Sequence, residues 1–456
     1  MNISEGMGTR PVGKLLAEFS IPAIGSLLVS SLYTLVDRIF IGQGTGVGGM
    51  AAVTSAWPIM IASYAIGVMF QTGGRTLAAV ALGSGDIDKA ERCLSKAVSA
   101  AFVLGTIFSF LLWLVSRPAL RLFGASGASM PQAEAYVDWI LVSSPGQAVA
   151  MTLVAALSAE GRPKACFLLQ LAGTVVNAAL APVFIFALGW GVGGAGLAVA
   201  LSQGAGLVLT IAVVLGKKSS FRPRARYLFP SPGPVADLVR VGVPMALMQL
   251  VTCSAFAVAN IAVKPYGGQL GLAAIGVVVT VVQFLGFPLF GIVNGAQTLW
   301  GYNYGACKWR RIARISVLTL AWGLGFALLS ELAMVAAPGF FVRLFSSDPS
   351  LAGIGAHSMR LFALTFAILP LELGPAFYFQ STGRSGPASV VLVLRTLSFA
   401  AGMFILPLFL GYDGVLWAEP LSDGITGLLG IYYLWLMVSE IRSLVAAERV
   451  ENLGAS

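Results

Sequence analysis

Apolar runs long enough to cross a bilayer recur from one end of this chain to the other, and that recurrence leaves few folds open. A hydrocarbon core of ~30 Å is crossed by ~20 helical residues. Inside it every backbone N–H and C=O needs a partner within the protein, so a spanning segment is a helix or belongs to a closed barrel. A barrel would show alternating segments of ~10 residues, whereas the runs here are continuous and rich in Leu, Ala, Val and Gly. Charged residues make up 10% of the 456, against about 25% in a soluble chain. The expected fold class is an all-α integral membrane protein.

The apolar windows place about twelve spans at 16–41, 51–75, 94–115, 135–158, 166–188, 193–215, 238–262, 272–298, 313–337, 356–381, 387–410 and 414–438. The net charge of +9 follows topology rather than forming one basic face for nucleic acid. Arg10 and Lys14 precede the first span. Lys89, Arg92 and Lys96 follow the second, Arg162 and Lys164 the fourth, Lys217 to Arg226 the sixth, Lys308 to Arg314 the eighth, Arg384 the tenth, and Arg442 and Arg449 the last. By the positive-inside rule both termini are expected on the cytoplasmic side of the membrane. The polar start, Met1 to Lys14, lacks a cleavable signal pattern, and no processing is expected.

The segment 217–236 is the one long, basic, Pro-rich connector, and it divides the chain into 1–216 and 237–456, with six spans each. The two halves resemble each other. The separation of Pro22 and Pro244, 222 residues, also carries Gly46 onto Gly268, Gly73 onto Gly295, Thr76-Leu77 onto Thr298-Leu299, and Gly161-Arg162 onto Gly383-Arg384. A slightly smaller shift carries Ala198, Leu201, Ser202 and Gly204 onto Ala418, Leu421, Ser422 and Gly424. An even number of spans per half makes the repeats parallel, an arrangement typical of alternating-access transporters.

Charges within the apolar runs are the candidate functional groups, because each costs at least ~2.5–3.5 kcal/mol without a partner or a wet cavity. Asp37 lies inside the first span, with Tyr33 and Thr34 on the same helical face. Its alternative is an interfacial carboxylate paired with Arg38, which would snorkel outward. Glu372 lies between Pro370 and Pro375, where kinks free backbone carbonyls and favour a polar pocket. Glu419 and Asp423 are four apart on the twelfth span, a pair suited to carrying a proton, although Glu419 lies close to the outer end. Arg395 is positioned to neutralise Glu372 or Asp423 as a fixed ion pair. Gln71, Asn177, Gln203, Gln249, Gln283 and Asn294 read as interhelical hydrogen-bonding groups, some of them lining a cleft.

The stretch Gly301-Tyr302-Asn303-Tyr304-Gly305-Ala306 with its basic continuation to Arg314, its counterpart Ala81 to Arg92, and Ser31 to Gly42 together resemble the bacterial multidrug and toxic compound extrusion (MATE) transporters. The resemblance extends through Ala159 to Lys164, Asn177 to Phe186, Phe379 to Arg384, and Leu394-Arg395 with Phe399 and Pro407. It implies a two-lobe bundle that exports organic, often cationic and amphipathic, small molecules in exchange for H⁺ or Na⁺. It also implies that Asp37 belongs to a coupling-ion site in the first lobe. Asn177 matches one usual companion of that acid, while Ala181 stands where the second is an Asp, and Thr34 stands where an Asn is common. In the second lobe the corresponding positions fall at Thr252 and near Glu372.

Residues set aside for ion coupling or substrate are therefore Asp37, Asn177, Tyr33, Thr34, Glu372 and Asp423. Expected partners are a small organic molecule, a coupling cation and the lipid bilayer, with no nucleic acid and a monomeric state. Beyond H⁺ or Na⁺ no cofactor is expected. The four cysteines lack metal-ligand spacing, and His357 stands alone. The alternative within the superfamily is a lipid-linked saccharide flippase, which calls for a cationic cavity. An enzyme is disfavoured, since no nucleophile–base, HExxH or nucleotide-loop pattern occurs.

Overall fold

The computed structural model describes residues 5–125, 127, 129–216, 221, 232–345 and 349–454, with side chains described except at 5, 35, 47, 232, 251–261, 264, 269 and 449–454. The described residues are almost wholly helical and include no strand, as the continuous apolar runs require. The first six long helices are α1 (Val12–Gly46), α2 (Gly48–Gly83), α3 (Ile87–Leu122), α4 (Ser129–Ala159), α5 (Pro163–Ala187) and α6 (Gly191–Leu215). They are followed by α7 (232–267), α8 (Leu270–Gly305), α9 (Trp309–Ala336), α10 (Pro349–Ser381), α11 (Gly386–Leu410) and α12 (Tyr412–Gly454).

Eleven helices among the described residues are long and apolar enough to cross a membrane. The remaining expected span, 238–262, lies on α7, where the side chains of 251–261, Thr252 among them, are outside the described set. Most of the expected linker 217–236 is also outside it. Helices overrun the apolar windows: α1 starts at Val12 and α10 at Pro349. A hydropathy window senses the hydrocarbon slab and misses the turns that continue into the interface.

The repeat is written into the backbone. Gly46 (φ 64°, ψ −156°) separates α1 from α2, and Gly268 (φ 59°, ψ −156°) separates α7 from α8. Such a left-handed link between two helices is the position glycine fills without a Cβ penalty. Gly161 and Gly383 match in the same way, at φ 85° and 86°. Gly191 and Gly411, 220 apart, match at φ 55° and 59°, where the sequence already shows the smaller shift.

Helix ends and breaks follow local chemistry. Asp86 caps α3 by accepting from the Lys89 N–H at 2.8 Å. Pro163 starts α5, where its missing N–H costs nothing. Helix α10 breaks between Phe362 and Leu369 into a 3₁₀ turn at Phe366–Ile368, just ahead of Pro370. The Ala367 N–H released by that break donates to Glu331 Oε2 of α9 at 2.7 Å. Glu331, an acid with no sequence pattern to explain it, thus satisfies a backbone donor that hydrocarbon would leave bare. Past Gly383, Arg384 forms a forked pair with Glu440 at 2.7 and 2.9 Å. Burial alone would pull the Arg384 guanidinium down, and the Glu440 carboxylate more than offsets this, holding it above its ordinary value.

The helices form two compact units, one of Met1–Thr9 with Gly25–Leu250 and the other of Arg10–Ile24 with Val251–Ser456. These bounds differ from the sequence halves at two places. The start of α7 belongs to the N-terminal unit, where fully buried Leu238 packs with Met69, Phe70, Ala97, Ala100, Ala101 and Ala148. The start of α1 belongs to the C-terminal unit, where Ser20 and Ile24 lie against α8. Glycine permits both approaches. A Cβ on Gly242 would strike the Met69 carbonyl, and a Cβ on Gly291 would strike Ile24.

Filling these contacts forces backbones apart. Gly242→Val and Gly291→Val are each expected to lower stability by about 1–3 kcal/mol, read as thermal unfolding in detergent. Gly173→Ala, with no atom within 4 Å of the added methyl, is expected to stay within ~0.5 kcal/mol of the parent. Equal losses from all three would contradict the packing argument.

Candidate functional site

In the N-terminal unit Asp37 is buried, at 5% exposure, in the membrane-spanning part of α1. Its side-chain hydrogen-bond partner is Tyr136 of α4, and its Oδ1 is buried with no partner. The Arg38 guanidinium lies over the Trp57 ring, 4.9 Å from the centroid, and acts on Asp37 as a nearby positive charge.

Three phenols surround this acid. Tyr33 lies one turn before it, and Tyr64 of α2 and Tyr136 of α4 are close enough for the three rings and Asp37 to interact electrostatically. Tyr64 in turn hydrogen-bonds Gln147 of α4 and Gln203 of α6, the latter at 3.5 Å. Gln203 retains a buried, unpartnered Oε1. Four helices thus converge on one acidic, phenol-lined spot. Tyr64, Tyr136 and Gln147 are its members that the sequence did not single out. A tyrosine within an apolar run reads equally well as core, so only the fold brings them to Asp37.

The other expected members fare differently. Thr34 turns its hydroxyl back to the Ser30 carbonyl at 3.2 Å and makes no bond to Asp37. Asn177 of α5 is 1% exposed with an unpartnered Nδ2, so it does not hydrogen-bond Asp37 directly. Ala181, one turn along, is fully buried in the apolar cluster of Ile41, Ile140, Ile185 and Val199. A packed methyl therefore occupies the place of a second acid. Each buried polar atom left unpaired costs roughly 1–3 kcal/mol, and Asp37, Asn177 and Gln203 each carry one.

The C-terminal unit gathers three of its acids around one cation. Arg395 Nη1 lies 2.9 Å from Glu372 Oε2 and 2.5 Å from Asp423 Oδ1, and Nη2 lies 2.5 Å from Glu419 Oε1. Sequence reasoning offered Arg395 to one acid or another, and the structure gives it three. Thr426 donates to Glu372 Oε1 and Thr365 to Asp423 Oδ2, both at 2.7 Å. Thr365 sits in the broken turn of α10, so the break that Glu331 stabilises also supplies a donor to the cluster. Ser422 donates to the Arg395 carbonyl at 2.8 Å. No group of three or more His, Cys, Asp or Glu arranged to hold a metal ion occurs among the described residues.

A family model described as MatE matches residues 22–183 and 244–404. The two matched segments start 222 residues apart, at the positions of Pro22 and Pro244. The chain is 24% identical to the multidrug export protein MepA of Staphylococcus haemolyticus over 426 residues, 92% of this chain and 93% of that one. It is likewise 24% identical to MepA of Staphylococcus aureus over 431 residues, 94% of each. Among solved structures it is similar to an outward-facing multidrug resistance MATE family transporter of the MOP superfamily, with a TM-score of 0.89, 22% identity, and coverage of 97% and 99%. A MOP superfamily transporter from Pyrococcus furiosus has the same fold, with a TM-score of 0.88, 21% identity, and coverage of 97% and 98%.

Removing the central cation tests the second cluster. Arg395→Met leaves three carboxylates buried without a counter-charge, and the expected loss is on the order of 3–5 kcal/mol. Arg395→Lys, which keeps the charge but not the fork, should lose less. Both are read by unfolding in detergent, and an unchanged Arg395→Met variant would show the pairs to be incidental.

Proposed function

We propose that this chain, which belongs to the MatE family, exports organic small molecules across a membrane in exchange for an inward-moving cation, with Asp37 as the exchanging group. The observation that carries this reading is the buried Asp37 with one oxygen unpartnered among three tyrosines. An ionised Asp37 attracts a positively charged amphiphile, and the faces of Tyr33, Tyr64 and Tyr136 add cation–π attraction of ~0.5–2 kcal/mol each where desolvated. A proton arriving at the same carboxylate removes that charge and with it most of the attraction. Proton and substrate thus compete for one group, and alternating access turns the competition into exchange.

H⁺ suits the site better than Na⁺. A small metal cation asks for several oxygen ligands, and the place of the second acid holds the methyl of Ala181. The distribution of Lys and Arg supports a cytoplasmic position for both termini, and the Staphylococcus relatives support a bacterial membrane. The flippase alternative gains no support. A pyrophosphate-bearing lipid needs a free cationic pocket, while Arg395 is enclosed by three acids.

Dye efflux from vesicles with ΔpH and a Na⁺ gradient imposed separately tests the reading. ΔpH alone is expected to drive efflux of a lipophilic cation such as ethidium, and Asp37→Asn is expected to abolish it while expression and unfolding stay normal. Efflux sustained by Na⁺ alone would overturn the choice of ion, and an active Asp37→Asn variant would overturn the site. A second variant, Ala181→Asp, restores an acid beside Asn177 and is expected to change the pH dependence of efflux. An unaltered profile in a folded Ala181→Asp protein would take coupling out of this pocket.

A further inference from the structure

The C-terminal unit contains more buried acid than its cation can balance. Three carboxylates meet one guanidinium, so full ionisation would leave two uncompensated negative charges in the membrane-spanning part of the protein. Such charges are costly wherever water is excluded, and carboxylates that share a site do not readily ionise together. Proton binding relieves the excess with no added ligands.

The hydrogen bonds show where a proton fits. Glu372 has both oxygens occupied by donors, Arg395 at 2.9 Å and Thr426 at 2.7 Å, which is the pattern of an ionised carboxylate. Asp423 differs. Its Oδ2 accepts from Thr365, but its Oδ1 accepts no hydrogen bond, although the residue is 3% exposed and Oδ1 points into the cluster, 2.5 Å from Arg395 Nη1 in poor alignment. Glu419, one turn earlier on α12, has only Oε1 engaged, by Arg395 at 2.5 Å. It is the most exposed of the three acids, at 16% against 5% and 1% for the side chains of Asp423 and Glu372. Among the described residues the charged groups facing the pair are Glu372 on α10 and Arg395 on α11, while Glu331 on α9 is taken by the Ala367 N–H.

We propose that Glu419 and Asp423 share one exchangeable proton, with Arg395 as the fixed counter-charge, forming a proton site of the C-terminal unit separate from Asp37. The proton enters at Glu419, which has the open oxygen, and is shared with Asp423 one turn on, whose Oδ1 accepts no hydrogen bond. Arg395 stands in the place a free metal cation would take, so the site selects H⁺. Its role in transport rests on the exporter reading above, but its existence does not.

The test counts protons rather than transport. The full-length protein in lipid nanodiscs is titrated from alkaline to acid pH while infrared difference spectra record the carbonyl band of protonated carboxyl groups. Glu419→Gln and Asp423→Asn are each expected to remove the same component of that band, about one proton per chain, whereas Asp37→Asn leaves it in place. Unfolding in detergent establishes that each variant is folded. Where Glu419→Gln does not fold, Glu419→Asp is read instead, and the component should move in frequency. The proposal is overturned if the component survives in either folded variant, or stays unmoved in Glu419→Asp. Failure of ΔpH-driven efflux with the band intact would count against the exporter reading alone.

Discussion

Hydrocarbon offers no hydrogen bonds, and this one constraint organises the protein from backbone to site. It selects helices over every open alternative and makes each interruption expensive. Some of the interruptions are met by identifiable residues. Left-handed glycines carry the chain between α1 and α2 and between α7 and α8. The broken turn of α10 is met by Glu331 from a neighbouring helix. The same accounting extends to charge, since Arg395 is the counter-charge of three carboxylates, two of them buried.

Some of this was legible in the residues and some was not, for reasons that can be named. Helix type, span number and the internal repeat rest on periodicity and spacing along the chain, and the 222-residue register reappears in the φ angles of Gly46 and Gly268. Side-chain company at membrane depth is another matter. Tyr64 and Tyr136 carry no signature that separates a site-lining phenol from a core ring, and Asp37 acquires them only through packing. Arg395 was visibly able to pair, but helical spacing relates residues on one helix and says nothing of three acids from α10 and α12. Thr34 shares a helical face with Asp37 and still bonds elsewhere.

The two units have solved one architectural problem with opposite electrostatics. The N-terminal site rests on one acid, Asp37, with an unpartnered oxygen, and on orphaned amide atoms of Asn177 and Gln203. The C-terminal unit holds three acids competing for one cation. Repetition of the backbone has therefore not brought repetition of the chemistry. A scarcity of hydrogen bonds and an excess of negative charge are different ways of keeping a buried carboxyl responsive to its surroundings.

The assignment of α7's first turns to the N-terminal unit, and of Arg10–Ile24 to the C-terminal one, bears on how such a chain can be divided. Cutting at the connector would yield two fragments, each carrying a segment that completes the other and lacking the one that completes itself. Each fragment is expected to fold incompletely alone, and recovery from such a cut to require reciprocal complementation.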